Sequence, residues 1–167
     1  TMENTRNIYF KNNKKLLKYA LLKEHEWYLY RFQKKLRKEE NASNIFGKFI
    51  YRMSKNILGA KLGIYIPAGV FDEGLHIWHY GNIIVNAESK VGKNCMLHGD
   101  NCIGNNGKTE GCPIIGDNVD IGTGAKILGA IRIANGVKIG AGAVVVKSCL
   151  IENATIVGIP GKEVDKK

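Results

Sequence analysis

The fold is decided by residues 114–146, which read IIGDNVDIGTGAKILGAIRIANGVKIGAGAVVV. An aliphatic residue recurs there at every sixth position, and glycine often follows it. The same step continues in both directions and meets an aliphatic side chain at twelve of thirteen positions: Val85, Val91, Leu97, Ile103, Thr109 (the exception), Ile115, Ile121, Ile127, Ile133, Ile139, Val145, Ile151 and Val157. A six-residue period of this kind predicts a parallel β-helix, in which each step is a short strand plus a corner and three steps make a triangular coil of about 18 residues.

The position four residues after each aliphatic residue is mostly small or β-branched, which suits the narrow corner of a coil. Cys95 and Cys149 fall on such positions, so we expect them to be buried packing thiols. The repeat is broken once, by the polar and glycine-rich residues 105–113. We expect a loop there, and loops that leave a repeat scaffold often carry function.

The first third of the chain has a different composition. Residues 1–62 hold 15 Lys and Arg against 5 Asp and Glu, so this part carries the whole net charge of +10, and it has only 2 of the 20 glycines. We therefore predict two units: a basic α-helical segment at residues 1–62 and a β-helix domain at residues 63–167.

Two helices are predicted in the basic segment. Residues 14–40 contain no Gly or Pro and follow the potential caps Asn12 and Asn13. Their apolar stripe is Leu22, His25, Leu29, Phe32 and Leu36, and a second helix at residues 45–58 places Phe46, Phe49, Ile50 and Met53 on one face. We expect the apolar faces to be core and the Lys and Arg side chains to be the solvated face. Peripheral contact of the basic helices with a membrane stays open, and nucleic acid is not an expected partner.

The sequence also bears on location. Its apolar runs are far shorter than the ~20 residues that span a bilayer. The first 15 residues are polar and lack the apolar core of a signal peptide. We therefore expect a cytoplasmic protein, with its four cysteines as free thiols rather than disulfides.

Residues 64–163 resemble the left-handed parallel β-helix acyltransferases with hexapeptide repeats. Within them they are similar to the serine acetyltransferase branch, which includes sugar O-acetyltransferases of surface-polysaccharide clusters. The resemblance is carried by residues 66–68 (IPA), 74–81 (GLHIWHYG), 97–99 (LHG), 103–108 (IGNNGK), 121–129 (IGTGAKILG), 139–143 (IGAGA) and 158–162 (GIPGK). It implies a homotrimer with sites between neighbouring subunits, acetyl-CoA as the donor and a histidine as general base.

The same resemblance places the site residues. The matching position for the catalytic base is His79, whose neutral imidazole can take a hydroxyl proton near pH 7. His76, Trp78, His98 and Asp100 are candidates for substrate binding. The matching positions of the donor groove are Asn105, Asn106, Thr123, Gly124, Lys138 and Ala141. Asp72, Asp100 or a backbone carbonyl group could orient His79, and no metal is expected.

Three departures from the family pattern bear on the acceptor. Two aspartates that flank the base in serine acetyltransferases fall here on Ile64 and Trp78, and a loop histidine falls on Cys112. A serine ammonium group needs a carboxylate partner, whereas an aromatic ring suits a sugar. We expect a carbohydrate hydroxyl as the acceptor, in surface polysaccharide biosynthesis. The alternatives are a serine O-acetyltransferase of cysteine biosynthesis, a zinc hydratase using His76, His79 and His98, and a non-catalytic binding or scaffold protein.

Overall fold

The computed structural model describes residues 2–108 and 110–164, apart from the side chains of Met2 and Glu3. Four helices come first in this described part of the chain: α1 (Met2–Tyr9), α2 (Asn13–Leu22), α3 (His25–Glu40) and α4 (Ile45–Leu62). Strands follow from Ile64 onward. The helices lie on the first coils of the β-structure, where their buried side chains join one continuous core with it.

The predicted long helix at residues 14–40 is wrong, because it is two helices. The Asn12 side chain caps α2 by accepting a hydrogen bond from the Lys15 N–H at 2.9 Å. The helix then ends at Lys23, which adopts a left-handed conformation (φ 53°). The break leaves Leu22 exposed, while Leu29, Phe32 and Leu36 of the predicted stripe are buried on α3.

The predicted core face of the second helix is also wrong. Phe46, Phe49, Ile50 and Met53 are exposed, and α4 instead buries Lys55, Leu58, Gly59 and Leu62. Gly59 explains the choice, because a Cβ atom there would lie 2.4 Å from the Ile64 carbonyl oxygen and 3.1 Å from the Phe32 ring. The glycine lets α4 approach the first strand and α3 closely, which turns the opposite face of the helix toward solvent.

The rest of the described chain forms three sheets that make the faces of a parallel β-helix, as predicted. The strands are β1 (Ile64–Tyr65), β2 (His76–Ile77), β3 (Ile83–Val85), β4 (Lys90–Val91), β5 (Met96–Leu97), β6 (Cys102–Gly104), β7 (Ile114–Ile115), β8 (Asp120–Ile121), β9 (Lys126–Leu128), β10 (Arg132–Ile133), β11 (Lys138–Ile139), β12 (Val144–Val145), β13 (Thr155–Val157) and β14 (Lys162–Val164). Their orders are β1-β3-β6-β9-β12 on face A, β4-β7-β10 on face B and β2-β5-β8-β11-β13-β14 on face C. The strand pairs are parallel except β13 with β14, which is antiparallel.

The register shows where the repeat holds. Ile121 pairs with Ile139 and Ile127 with Val145, each three steps of the period further along the chain, and ten positions of the predicted series are buried. Residues 105–108 and 110–113, the described part of the segment between β6 and β7, have no regular secondary structure, and the segment lengthens this coil. Leu97 therefore pairs with Ile121 rather than with Ile115, where the regular period would place its partner. Thr109, the exception in the series, lies outside the described residues.

The series fails in the last coil. Ile151 and Val157 are exposed, and Ile156 is buried instead. The reason is a shorter coil. Cys149 bridges to Ile133 in place of Ile151, and Ile156 pairs with Ile139 in place of Val157. The burial expected for Cys95 and Cys149 is confirmed, since both are almost inaccessible. All four cysteines are free thiols.

Candidate functional site

The residues 78–80 turn from face C to face A directly after β2, and all three side chains are exposed. His79 lies in this turn. Gly99, in the corresponding turn one coil further on, has φ +109°, and a Cβ atom there would lie 3.3 Å from the His79 Cβ. Glycine at this position therefore lets the next coil pack directly against the backbone of the candidate base.

His25, from the start of α3, also lies at this turn. Its ring is 5.2 Å from the His79 ring and stacks on Tyr80 at 4.5 Å. Its Nε2 lies 2.8 Å from the carbonyl oxygen of Trp78. Since a carbonyl oxygen only accepts hydrogen bonds, Nε2 carries the proton and donates. Sequence reasoning missed His25, because no local signal reports a contact between residues so far apart in the chain.

The groups considered for orienting His79 lie elsewhere. The Asp72 carboxylate accepts a hydrogen bond from the Glu73 N–H at 2.8 Å. The Asp100 carboxylate lies 3.4 Å from the Lys126 ammonium group. Within the described part of the chain, the His79 ring makes no hydrogen bond, and the His25 ring is its aromatic neighbour.

Three of the candidate substrate-binding residues form a row of rings where face C ends at the turn that contains His79. His76 and Trp78 stack at 4.3 Å, and Trp78 and His98 stack at 5.7 Å. The pairing of Ile77 with Leu97 explains the second contact, because the next residue of each coil is Trp78 or His98. Trp78 remains 44% exposed, so the row presents a partly open aromatic surface beside His79.

Two neighbours fix the ends of this row. The Asp120 carboxylate lies 2.8 Å from Nε2 of His98. The Tyr9 ring meets His76 edge-on at 5.3 Å, and the Tyr9 hydroxyl group donates to the Ile77 carbonyl oxygen at 3.1 Å. Burial, with repulsion from His98 second, lowers the pKa of His76, which favours the neutral imidazole.

Three of the six predicted donor residues, Thr123, Gly124 and Ala141, line the same corner as His79. The Gly124 N–H donates to the Gly99 carbonyl oxygen at 3.0 Å, and the Thr123 hydroxyl group donates to the His98 carbonyl oxygen at 3.3 Å. Ala141 lies one coil further on, where the Gly142 N–H donates to the Thr123 carbonyl oxygen at 2.8 Å. Turns rich in small residues thus continue from His79 along one edge of the three-sided β-helix, the edge between faces C and A.

The other donor candidates are placed differently. Lys138 is exposed on face C, where it pairs in register with Asp120. Asn105 and Asn106 begin the loop between faces A and B, at another corner of the β-helix. A single chain therefore does not bring the loop and His79 into one corner. Among the described residues, no group of three His, Cys, Asp or Glu side chains could hold a metal ion.

The structure is similar to solved serine acetyltransferases. A serine acetyltransferase in complex with cysteine matches with a TM-score of 0.70 and 28% identity, over 81% of this chain and 57% of that chain. The enzyme from Brucella abortus strain S19 matches with a TM-score of 0.70 and 25% identity, over 81% of this chain and 56% of that one. The serine acetyltransferase from Neisseria gonorrhoeae matches with a TM-score of 0.71 and 27% identity, over 98% of this chain and 66% of that one.

The fold is the left-handed parallel β-helix of these acetyltransferases, with an N-terminal helical segment. This confirms the expected fold class: the parallel β-helix predicted by the six-residue period, the left hand implied by the family resemblance, and the predicted helical segment. The chain spans 57% of the length of the first of these structures and 66% of the Neisseria enzyme. No protein-family model and no curated protein matches the sequence.

Proposed function

We propose that the protein is an acetyl-CoA-dependent O-acetyltransferase whose acceptor is a carbohydrate hydroxyl group, in surface polysaccharide biosynthesis. The likeness to serine acetyltransferases supports acetyl transfer. The observation that carries the choice of acceptor is the ring row of His76, Trp78 and His98 beside His79.

In the proposed mechanism, His79 is the general base. Its neutral imidazole takes the proton of the acceptor hydroxyl group while the hydroxyl oxygen attacks the thioester carbonyl carbon. The tetrahedral intermediate then expels the CoA thiolate, which takes the proton back from the imidazolium group. Backbone N–H groups of the glycine-rich corner are suited to stabilise the developing oxyanion.

The chemistry around His79 supports a sugar over an amino acid. The position that would carry one family aspartate is Ile64, which is buried in the core, and the other is Trp78 in the ring row. A serine ammonium group would lack a carboxylate at both positions. A sugar ring can instead pack on the exposed part of Trp78 and exchange hydrogen bonds with His98 and Asp120.

The donor is proposed to lie along the corner of Thr123, Gly124 and Ala141, where small residues permit close approach of an extended pantetheine chain. Lys138 on face C can pair with a CoA phosphate group. The loop that contains Asn105 and Asn106 reaches the site only from a neighbouring subunit. We therefore propose a homotrimer, which light scattering tests as three times the 18.5 kDa chain.

Two alternatives stay in the proposal. A serine O-acetyltransferase of cysteine biosynthesis is favoured by neighbours such as the Neisseria gonorrhoeae enzyme solved in complex with serine. The other alternative is a non-catalytic binding or scaffold protein with the same β-helix fold, which would bind acetyl-CoA weakly or not at all. The proposal also includes a cytoplasmic location, the division into units 1–62 and 63–167, and peripheral membrane contact of the basic helices.

The test is release of CoA from acetyl-CoA, followed as free thiol with a panel of nucleotide sugars and with L-serine. We expect release with a sugar, no release with serine, and a loss of about 100- to 10,000-fold in His79→Asn, which keeps the size of the side chain but not the base. Release with serine alone would reject the carbohydrate acceptor. No release with any acceptor and no binding of acetyl-CoA would favour the scaffold alternative.

A further inference from the structure

An apolar ridge runs along the solvent face of α4. Its side chains are between 37% and 87% exposed: Ile45, Phe46, Phe49, Ile50, Met53 and Ile57. At about 100° per residue these positions lie opposite the buried face of Lys55, Leu58, Gly59 and Leu62. We call these six residues the α4 ridge. The ridge is a continuous apolar strip, unlike the isolated exposed apolar side chains that most proteins carry.

Basic side chains lie on both sides of the ridge. Helix α4 contains no Asp or Glu, and Lys48, Arg52 and Lys61 are exposed on it, whereas Lys55 is buried. On the other side, α3 and α4 enclose a groove of about 290 Å³. The described residues that line it include no carboxylate: Trp27, Tyr30, Arg31, Lys34, Lys35, Lys38, Ile50, Tyr51 and Ser54. Ile50 belongs to the ridge and to the groove, so the two surfaces are continuous.

The groove holds its cations near aromatic rings. Lys34 lies 5.7 Å from the Tyr30 ring and Lys38 lies 5.2 Å from the Tyr51 ring. The Lys35 ammonium group donates to the Ser54 hydroxyl group. Burial, followed by repulsion from Arg31 and Lys38, lowers the pKa of Lys35. The groove therefore holds four positive charges close together, on Arg31, Lys34, Lys35 and Lys38. Their mutual repulsion is unfavourable, and a bound anion would reduce it.

The two carboxylates that directly follow the lining residue Lys38 in α3 are already paired. Glu39 lies 2.7 Å from Arg52 and 2.9 Å from Lys55, and Glu40 lies 2.8 Å from Arg37. In the described part of the chain, none of Arg31, Lys34, Lys35 and Lys38 forms an ion pair. The surface around the ridge is therefore strongly cationic.

This charge selects the kind of partner. If a second copy docked the same face through a two-fold axis, each set of cations would meet the same set on the other copy. An anionic partner meets complementary charge, and a partner with an apolar interior also covers the aliphatic and phenylalanine side chains. None of the described helices is long and apolar enough to cross a bilayer, so the contact would lie in its interface.

We infer that the α4 ridge and the groove between α3 and α4 form a docking surface for an anionic lipid bilayer, with the ridge at the acyl boundary and the groove on lipid phosphate groups. The role that we infer for this contact is to bring the enzyme to a lipid-linked acceptor, and this role rests on the proposed function. The contact itself is measured without acetyl transfer.

The test is co-flotation of the full chain with vesicles of phosphatidylcholine alone or of an equimolar mixture of phosphatidylcholine and phosphatidylglycerol. We expect binding only to the anionic vesicles, weakened by salt. Lys35→Gln/Lys38→Gln should weaken binding about 30-fold, at about 1 kcal/mol for each basic residue near the surface. Phe46→Ser/Phe49→Ser should also release the protein. Leu150→Ser, an equally exposed leucine on the β-helix, is the matched control and should bind as the wild type does.

Four outcomes would overturn the inference. Two of them concern the vesicles: no binding to anionic vesicles, or equal binding to both vesicle types. The third is that a ridge variant changes the mass of the lipid-free protein, which would show that the ridge joins two copies of the chain. The fourth is that the protein binds RNA more tightly than anionic vesicles and that the lysine variant abolishes the binding to RNA. Circular dichroism confirms that each variant is folded. Wild-type acetyl transfer is assayed separately without vesicles, so its absence alongside intact vesicle binding would reject only the proposed function.

Discussion

Replacing Lys55 by methionine tests what holds the helical segment on the first coil. The Lys55 ammonium group is buried, lies 2.9 Å from the Glu39 carboxylate and donates to the Ile66 carbonyl oxygen at 3.0 Å. Lys55→Met leaves both acceptors buried without this donor. Removal of one partner from a buried ion pair costs about 3–5 kcal/mol. Since Arg52 still pairs with Glu39, we expect the free energy of unfolding to fall by about 3 kcal/mol, which corresponds to a fall of about 6–12 °C in Tm.

Urea unfolding at pH 7 measures this loss. The matched control is Arg52→Met, whose side chain also pairs with Glu39 but is 66% exposed, so it should cost about 1 kcal/mol or less. Glu39→Met/Lys55→Met should recover part of the loss, because it removes both buried charges. A loss below about 1 kcal/mol in Lys55→Met, or full additivity in the double variant, would refute the reasoning.

The pH dependence follows from the same pair. Burial alone would raise the pKa of Glu39, but hydrogen bonds from Arg52 and Lys55 outweigh it and lower that pKa below the usual 4.5. A carboxyl group with a lowered pKa stabilises the folded state above its unfolded pKa and loses this effect as the pH falls through the folded value. The difference in stability between wild type and Lys55→Met should therefore be largest near pH 7 and narrow below pH 4.5.

Two further substitutions test the support of the candidate site. Tyr9→Phe removes a buried hydroxyl group that bonds to Ile77 and Gln33, and it should cost about 1–3 kcal/mol of stability in urea unfolding; an unchanged midpoint would contradict the assigned bonds. Gly99→Val places a side chain in a positive-φ turn against His79 and should lower the rate of acetyl transfer. In the control Gly69→Ala, the residue is also at positive φ, but no atom lies near the new Cβ, so this variant should lose stability only. Equal activity in both variants would contradict a role for the Gly99 contact.

The six-residue period was sufficient to predict the β-helix, because each aliphatic side chain stacks on its equivalent one coil away. It failed where a coil departs from three equal steps: the last coil is shorter, so Ile156 replaces Val157 in the core. The longer coil with the loop sets which turns become neighbours. The contact of His98 with Asp120 therefore depends on a loop length that the period alone does not assign.

The helical segment was harder to predict, because its burial is decided by tertiary contacts. Both faces of α4 carry apolar residues, and the close approach at Gly59 decides that Leu58 and Leu62 face inward. The helix breaks at Lys23 without a Gly or Pro, the residues from which a helix end is usually predicted. The position of His25 beside His79 depends on that break and on the docking of α3, neither of which has a local signal.

The most direct test of the central claim is the rate of sugar acetylation by the wild type and by His79→Asn, with the product detected by mass spectrometry. The account predicts that the wild type adds one acetyl group to a sugar in the panel. It also predicts that the variant remains folded and binds acetyl-CoA but acetylates about 100- to 10,000-fold more slowly. A folded His79→Asn variant that acetylates the sugar at the wild-type rate would contradict the account.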